Sequence, residues 1–410
     1  MTGVITVVGG SYGEECCFPR SVVYRGSGMR AASVLAGLGD RVTFDTVHGP
    51  TLGTEFAHIC KLKGIALQAA TASSDIWFRY RHPLARPDIY PSNPPDVSAR
   101  TEVTAECALV FGMIEGRTRV AAKRAIYDPQ DGFRAKPFAE NGSSTEELVV
   151  LASLSEGRAL TRKWSAEEIV DHLLADSSCL AAVIKCGPQG ALVATDAARK
   201  WVGSFPTTRM WKIGSGDVFS AAFAHKWFAE GATVLDAACF ASRMVAEYVS
   251  TRMEVFDADR MKRICADAAE AEVTADRPMP KADARVYLAG PFFTTAQQWL
   301  VDEARSAFQE LGFAVFSPIH DVGEGPPNEV GPADIFALEQ SQVVFALVDG
   351  LDAGTVFEVG YARALDIPVV CLAESVESKS LTMLLGSGCE VFNDFAASIY
   401  AACWQLVHYV

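Results

Sequence analysis

Short apolar runs alternate with amphipathic segments through the first two-thirds of the chain. Runs of strand length occupy 107–114, 147–152, 181–185 and 191–194. Segments with apolar residues at helical spacing occupy 29–38, 165–175 and 217–230. Strand-length runs that alternate with helical patterns predict an α/β sandwich, in which helices pack on a central sheet.

The same opening occurs twice, because an apolar run feeds a glycine turn at 4–10 and again at 284–292. A second start of this kind predicts a second domain. The pattern after it predicts strands at 285–289, 313–316, 343–348 and 367–372, and helices at 296–311, 332–340 and 355–365. We expect a smaller doubly wound (Rossmann-like) parallel sheet there, with ligands at the carboxyl ends of its strands. The polar, proline-bearing segment 274–284 is predicted to link a domain at 1–273 to a domain at 285–410.

Charge and composition narrow the range of partners. The chain has 36 Lys and Arg residues against 50 Asp and Glu, a net charge of −14. Such a field repels phosphate backbones and anionic headgroups, so we expect neither nucleic acid nor a membrane as partner. No apolar run reaches the roughly 18 residues of a membrane-spanning helix. The 11 cysteines stand in apolar segments without metal-ligand spacing, which predicts buried thiols in a reducing cytoplasm.

The turn Gly214-Ser215-Gly216-Asp217 is the most informative local feature of the first domain. It precedes a long amphipathic segment. Glycines at a helix start let the backbone approach a ligand, and the N–H groups there bind phosphate oxygens. Asp217 could accept a proton from an attacking hydroxyl. It could equally be the helix N-cap, since Asp is a preferred residue at that position.

This turn resembles the GAGD signature of the PfkB (ribokinase-like) family of sugar and nucleoside kinases. Other segments resemble the family in the matching order: the opening VVGG, the stretch with Gly26, Gly28 and Arg30, and the hairpin KCGPQGALV at 185–193. The resemblance spans about residues 1–265 and implies a ribokinase-like α/β sandwich.

The same resemblance implies roles for individual residues. Asp217 would be the catalytic base, and the amides of Gly214, Ser215 and Gly216 would stabilise the phosphoryl group in transfer. Glu156 would correspond to the glutamate of the family's magnesium-associated motif, an indirect metal role. ATP and Mg²⁺ are therefore the expected cofactors.

The first domain also departs from the family pattern. Arg25 stands in the glycine pair that shapes the sugar site, and Arg30 replaces the asparagine that follows it; Ser153 replaces the asparagine of the magnesium motif. Glu14 or Glu15 could be the acidic residue that holds the sugar hydroxyls. The two arginines could bind a phosphate on the acceptor, or remain solvated. These departures leave open that this domain is a nucleotide sensor that no longer catalyses.

In the second domain, Thr355 to Glu358 follow the apolar run VVFALV and have the form of a capping box, in which Thr caps the helix and Glu reaches back. A capping box alone does not account for Asp352, three residues earlier. A carboxylate near a helix N-terminus is held ionised by the helix dipole, as a nucleophile for an anomeric carbon must be. Cleavage of an N-glycosidic bond resembles glycoside hydrolysis in this respect. Both roles stay open for Glu358.

The segment DAGTVFEVGYA resembles the nucleoside 2-deoxyribosyltransferase family, as do YLAGPFF at 287–293 and Ser317-Pro318. The resemblance spans about residues 285–410. It implies that Glu358 is the nucleophile and that Tyr287 orients it.

Further site residues follow from this second resemblance. Asp334 and Asp352 would contact the base and the sugar. The other substrate-binding positions it implies are Gly290, Pro291, Phe292, Gln297, Gly354 and Thr355. It implies no cofactor for this domain.

The C-terminal region carries the expectations on assembly. Members of the family complete their pocket with an asparagine or methionine of a neighbouring subunit, and Met383 or Asn393 could take that place. The apolar segment 395–410 predicts burial on more than one side. We therefore expect a homo-oligomer, most simply a dimer through the second domain. His320 could contact a base or be solvated, and 323–332 is predicted as a flexible lid.

Together these features predict a bifunctional enzyme that acts on nucleosides, nucleotides or sugars. One domain would cleave or exchange the bond between base and sugar, and the other would phosphorylate a hydroxyl on the sugar or nucleoside. Transferase and hydrolase differ here only in whether a second base or water resolves the intermediate. The alternative is an N-glycosidase under the control of a nucleotide-sensing first domain.

Overall fold

The computed structural model of the protein describes residues 3–92, 100–130, 134–275 and 284–407. The chain divides into two compact units. The first comprises Met1–Phe205 and Trp211–Arg277, and the second comprises Pro278–Val410 with the short segment Pro206–Met210. Most of the predicted linker, residues 276–283, lies outside the described residues.

A mixed sheet of ten described strands forms the centre of the first unit. Its strands are β1 (Val4–Val8), β4 (Arg41–His48), β5 (Ala66–Thr71), β8 (Arg100–Phe111), β9 (Arg117–Asp128), β10 (Ser144–Ser153), β11 (Cys179–Lys185), β12 (Ala191–Thr195), β13 (Arg199–Val202) and β14 (Val273–Thr274). The order is β14-β13-β12-β11-β10-β9-β8-β1-β4-β5. Pairing is parallel from β5 to β11 and antiparallel from β11 to β14. Parallel pairing brings the carboxyl ends of the inner strands to one edge.

A second, four-stranded sheet belongs to the same unit. Its strands are β2 (Gly13–Cys16), β3 (Ser21–Tyr24), β6 (Trp77–Tyr80) and β7 (Asp88–Tyr90), in the order β3-β2-β6-β7. Only four residues separate the end of β1 from the start of β2. The polar residues of β2 therefore lie close to the carboxyl edge of the large sheet.

Helices cover the large sheet. They are α1 (Ser27–Gly37), α2 (Gly53–Lys63), α3 (Leu154–Thr161), α4 (Ala166–Leu174), α5 (Ser215–Ala224), α6 (Val234–Thr251) and α7 (Ala258–Ala269). The first turn of α1 approaches the end of β1 so closely that a β-carbon on Gly28 would lie 2.6 Å from the carbonyl carbon of Gly9. A larger residue at Gly28 would push α1 away from the strand ends. The predicted α/β sandwich is confirmed.

The second unit is built on a five-stranded, all-parallel sheet among the described residues. Its strands are β15 (Arg285–Ala289), β16 (Ala314–Phe316), β17 (Val343–Leu347), β18 (Val369–Leu372) and β19 (Glu390–Phe392), in the order β16-β15-β17-β18-β19. Its helices are α8 (Thr295–Glu310), α9 (Pro318–Asp321), α10 (Pro327–Glu339), α11 (Ala353–Ala364), α12 (Thr382–Gly386) and α13 (Phe395–Val407). Every residue of β17 is buried, as expected of a central parallel strand covered on both faces. The predicted smaller parallel sheet is confirmed.

One expectation about this unit is wrong and another is confirmed. The second half of the predicted lid at 323–332 is helical, because α10 starts at Pro327, and proline is well tolerated in a first turn that needs no N–H donor. The burial predicted for the apolar segment is confirmed for α13, the described part of it. It packs on β17, β18, β19 and α8 of its own unit, and its large apolar side chains are buried.

Two further expectations concern the cysteines and membrane-spanning helices. The 11 cysteines, all within the described residues, form no disulfide, and each except Cys17 and Cys265 is buried. In the part of the chain that the structure describes, every helix is too short or too polar to cross a lipid bilayer.

Candidate functional site

In the first unit, the glycine turn starts helix α5. Gly214 is the N-cap, with φ of 79°, and Asp217 stands two residues inside the helix. The interpretation of Asp217 as the N-cap is therefore wrong. Gly214 must be glycine for two reasons: its φ lies in the left-handed region, and a β-carbon there would overlap the guanidinium of Arg30.

Asp217 is held by a buried arginine. Arg30 in the first turn of α1 donates Nη1–H to Oδ2 of Asp217 at 2.7 Å and Nη2–H to Oε2 of Glu14 at 2.5 Å. The side chains of Arg30, Glu14 and Asp217 are 3%, 5% and 7% exposed. The amide of Gln130 donates to Oδ1 of Asp217 at 3.3 Å. Both carboxylate oxygens of Asp217 are therefore engaged.

Burial dominates the titration of Asp217. It raises the pKa of Asp217 to about 6, while the positive charge of Arg30 acts in the opposite direction. The carboxyl group is therefore mostly ionised at pH 7.

The two arginines of the α1 region both have carboxylate partners. Arg30 is buried rather than solvated. Arg25 donates Nε–H to Oε1 of Glu254 at 2.7 Å. Both guanidinium groups are thus bound to carboxylates, and the solvated alternative is wrong for Arg30; the binding of a phosphate on the acceptor stays a prediction.

Sequence reasoning missed several charged groups at this edge of the sheet. Asp128, at the end of β9, is fully buried and accepts hydrogen bonds from Nζ of Lys185 at 2.7 Å and Oγ of Ser220 at 2.6 Å. Nζ of Lys212 donates to Oγ of Ser215 at 3.2 Å, and burial lowers the pKa of Lys212. An aspartate directly after a buried strand, DPQ at 128–130, was the available signal.

A phosphoryl donor has suitable groups on the α5 side of this cluster. A β-carbon on Gly216 would lie 3.6 Å from Nζ of Lys185, so an ammonium group stands beside the turn whose amides face outward from the helix. Lys212 adds a second amine at the same turn. The residues present therefore fit a polyphosphate.

Glu156 is the third residue of helix α3 and forms a capping box with Ser153, whose backbone N–H donates to Oε2 of Glu156 at 2.7 Å. Burial, and then the charge of Asp128, raise the pKa of Glu156. Among the described residues, no group of three or more His, Cys, Asp or Glu side chains is arranged to hold a metal ion. Mg²⁺ commonly takes only one or two carboxylates plus phosphate oxygens, so Glu156 and Asp128 fit an ion that arrives with a nucleotide.

In the second unit, the structure joins the two residues of the predicted nucleophile pair. Tyr287 on β15 donates its hydroxyl to Oε1 of Glu358 on α11 at 2.6 Å. Burial raises the pKa of Glu358 to about 7, the hydrogen bond from Tyr287 lowers it, and the charges of Asp334 and Asp352 raise it. Tyr287 is fully buried and stacks on Phe316 with ring centroids 5.6 Å apart, which fixes the direction of its hydroxyl.

Asp352 is the N-cap of α11. Its Oδ2 accepts from the amide of Thr355 at 2.9 Å and from the Thr355 hydroxyl at 3.1 Å. The expected capping box between Thr355 and Glu358 is therefore wrong. Because the helix already has its cap, the carboxylate of Glu358 is available to a substrate. Gly354 stands in the first turn beside Asp352.

Asp334 lies on α10 rather than at its start. Burial raises its pKa, and its Oδ1 is buried without a hydrogen-bond partner among the described residues. Its charge raises the pKa values of both Tyr287 and Glu358. Asp334, Tyr287 and Glu358 therefore belong to one site.

The remaining predicted residues are distributed unevenly around this site. Gly290, Pro291 and Phe292 follow β15 directly. Gln297 does not present its side-chain oxygen to a ligand, because Oε1 accepts from the amides of Phe293 and Thr294 in the capping box of α8.

The three C-terminal candidates have different surroundings. His320 is not simply solvated: its ring contacts Oγ of Ser317 at 3.0 Å and Oδ1 of Asp302 at 2.9 Å. Met383 is 80% exposed on α12, and Asn393 is exposed after β19. Both side chains are therefore accessible on the surface of a single chain.

A comparison with protein-family models identifies a match within the second unit. Residues 286–394 match the nucleoside 2-deoxyribosyltransferase family. The match covers the Tyr287, Asp334, Asp352 and Glu358 constellation and agrees with the resemblance seen in the sequence. It concerns the second unit alone. A search of the curated proteins gives no match for the chain.

Solved structures match the first unit. Phosphofructokinase-2 from Escherichia coli in complex with potassium has 14% sequence identity and a TM-score of 0.50; the match covers 66% of this chain and 100% of that one. A possible 1-phosphofructokinase from Thermotoga maritima has 13% identity and a TM-score of 0.50, over 67% of this chain and 100% of that one. At this identity the likeness concerns the fold. The first unit has the fold of these PfkB/ribokinase-type kinases, as predicted.

Proposed function

We propose that the second unit cleaves or exchanges the N-glycosidic bond of a nucleoside or nucleotide, with Glu358 as nucleophile. The observation that carries this proposal is the 2.6 Å contact between the Tyr287 hydroxyl and Glu358, in a unit that matches a family acting on that bond. Glu358 is half-buried, and Asp352 caps α11 in its place, so its carboxylate can approach a sugar ring.

The chemistry follows from these groups. The Glu358 carboxylate attacks the anomeric carbon, a C–O bond to the enzyme forms, and the C–N bond to the base breaks with its electron pair on the base. Asp334, with a raised pKa, is suited to hold the proton that the departing base takes up. A second base or a water molecule then displaces Glu358. The acceptor decides whether the reaction is a transfer or a hydrolysis.

The test is Glu358→Gln. The amide can keep the hydrogen bond from Tyr287 but cannot form the glycosyl intermediate. We expect loss of base release and base exchange over a nucleoside and nucleotide panel, measured by chromatography, with the melting temperature unchanged. Retained activity in the folded variant would reject the proposal.

For the first unit we propose binding of ATP with Mg²⁺ at the start of α5. The turn from Gly214 to Gly216 and the amines of Lys185 and Lys212 support a polyphosphate there, and Glu156 and Asp128 would face the accompanying magnesium ion. Bound ATP supplies the phosphoryl group. In the kinase form of the proposal, Asp217 takes the proton of an acceptor hydroxyl on a sugar or nucleoside.

A second candidate for this unit is a nucleotide sensor that controls the glycosidic reaction without phosphoryl transfer. The hydrogen bonds to both oxygens of Asp217 favour it, because an acceptor hydroxyl must compete with Arg30 and Gln130 for those oxygens. Calorimetric titration with MgATP, paired with an ADP-release assay over the acceptor panel, separates the two. Asp217→Asn should keep ATP binding in either case and abolish transfer only if the unit is a kinase.

A further inference from the structure

One buried arginine lies between the two carboxylates that an acceptor would need. The family resemblance makes Glu14 or Glu15 the candidate for the sugar hydroxyls and Asp217 the candidate for the proton of the attacking hydroxyl, and of the two glutamates it is Glu14 that contacts Arg30. Arg30 joins them through separate nitrogens at 2.5 Å and 2.7 Å. These residues are 16 and 187 positions from Arg30 in the chain, so the fold itself assembles the bridge.

We propose that Arg30 occupies the place of the phosphoryl acceptor, so that the first unit binds a phosphoryl donor but does not transfer its phosphoryl group. This rests on the proposed nucleotide-binding function and on Asp217 as the would-be base. The terminal N–H groups of the guanidinium donate to the same carboxylates that would accept hydrogen bonds from acceptor hydroxyls. An acceptor can reach Asp217 only if it displaces a cation from a site with two buried carboxylates.

The surroundings fit Arg30 closely. Every residue of α1 from Ser27 to Leu35 is buried, so the helix that carries Arg30 is enclosed. Gly214 has no side chain where the guanidinium lies, and any β-carbon there would overlap it. The other oxygen of Glu14 accepts from the amide of Gly26 at 3.2 Å. The Gly214 turn, helix α1 and strand β2 thus enclose the side chain of Arg30.

Arg30 could instead stabilise the charge of a phosphoryl group during transfer, as arginines do in other kinases. That role requires guanidinium N–H groups directed at the phosphoryl oxygens. Here one N–H of each terminal nitrogen donates to Asp217 or Glu14, and Nε is buried without a hydrogen-bond partner among the described residues. The two carboxylates compete with phosphoryl oxygens for the terminal N–H groups. The geometry therefore favours a closed acceptor site over a catalytic arginine.

The experiment compares the full-length wild type with Arg30→Asn. Transfer would form a bond from an acceptor oxygen to the γ-phosphorus, break the bond from that phosphorus to ADP, and pass the acceptor proton to Asp217. We measure MgATP binding by calorimetry, and ADP and phosphorylated product by chromatography, with ribose, deoxyribose and nucleosides as acceptors.

The control is Arg243→Asn. Arg243 on α6 also bridges two carboxylates, Glu247 at 2.6 Å and Asp267 at 2.8 Å, and neither belongs to the site. It reports what the loss of a bridging arginine does to folding alone.

We expect wild type and Arg243→Asn to bind MgATP without forming phosphorylated product. Arg30→Asn should gain transfer to at least one acceptor, at least tenfold above wild type, and Asp217→Asn added to it should remove the gain. Transfer by the wild type, or no gain in a folded Arg30→Asn that binds MgATP, would overturn the inference. If Arg30→Asn does not fold, Arg30→Gln takes its place, with the same expected gain in transfer and the same contradicting result. Transfer by the wild type overturns the inference in either case. If the wild type binds no MgATP, the nucleotide-binding function itself fails.

Discussion

The hydrogen bond from Tyr287 to Glu358 should set the pH dependence of the glycosidic reaction, and Tyr287→Phe removes that bond alone. The ring of Tyr287 is fully buried and stacked on Phe316, so phenylalanine fills the same space. The variant deprives Glu358 of its 2.6 Å donor without changing the charges of Asp334 and Asp352.

The magnitude follows from the titration of Glu358. Its pKa is about 7, with Tyr287 acting to lower it. A hydrogen bond to a charged group contributes about 1.5–3 kcal/mol, and one pKa unit corresponds to about 1.4 kcal/mol. We take the lower end, so the pKa of Glu358 rises by about one unit. The nucleophile is the ionised form, and its fraction at pH 7 falls from about one half to about one tenth.

We therefore expect an approximately fivefold loss of kcat/KM at pH 7 and almost none at pH 9, with the acidic limb of the profile about one unit higher. The assay is kcat/KM for base release from pH 5 to pH 9.5. Tyr361→Phe is the matched control, since Tyr361 on the same helix donates to the exposed Glu339 at 2.5 Å. An equal loss at every pH, or a limb that moves to lower pH, would refute the assignment of Tyr287 as the residue that holds Glu358 ionised.

Two further predictions concern the cap and the assembly of the second unit. Asp352→Ala should cost about 1 kcal/mol of stability through loss of the α11 cap, seen as a shift of the urea midpoint; no shift would mean that the bonds to Thr355 do not stabilise the helix. We also expect a homodimer through the second unit, with Met383 or Asn393 near Glu358 of the partner subunit, because Met383, Phe357 and Phe336 are 80%, 60% and 63% exposed. Light scattering should return about twice the 44.1 kDa of one chain, and a fully active monomer would contradict this.

The alternation of apolar runs was enough to predict the large sheet of the first unit and the sheet of the second, since a parallel sheet buried on both faces requires runs such as VVFAL in β17. It did not predict the four-stranded sheet of the first unit. The helix at Phe395–Val407 shows the limit of that reasoning. Its apolar residues correctly predict burial, but the pattern does not identify the covering surface, which is the unit's own sheet. Likewise the proline pair at 326–327 could be taken for a loop, although a proline also starts a helix.

Some residues of the candidate sites could be predicted from the sequence and others could not. Glu358 and Tyr287 could be named from short motifs, although Tyr287 lies in the middle of β15 and Glu358 in the second turn of α11. The role of Arg30 could not be predicted. Its partners Glu14 and Asp217 are 16 and 187 residues away in the chain, and the sequence does not show that the fold brings them together. Thr355 and Glu358 have the spacing of a capping box, but in the structure Asp352 is the N-cap and accepts the hydrogen bond from the amide of Thr355.

The central claim is that Glu358 carries the sugar during the reaction, and rapid quenching followed by peptide mass spectrometry tests it most directly. Wild-type protein is mixed with a nucleoside that releases its base, quenched within the first turnover, digested and mapped. We predict a mass increase of one pentosyl group on the peptide that contains Glu358, absent in Glu358→Gln. A pentosyl group on another residue, or base release in the first turnover without any adduct and unchanged in Glu358→Gln, would contradict the account.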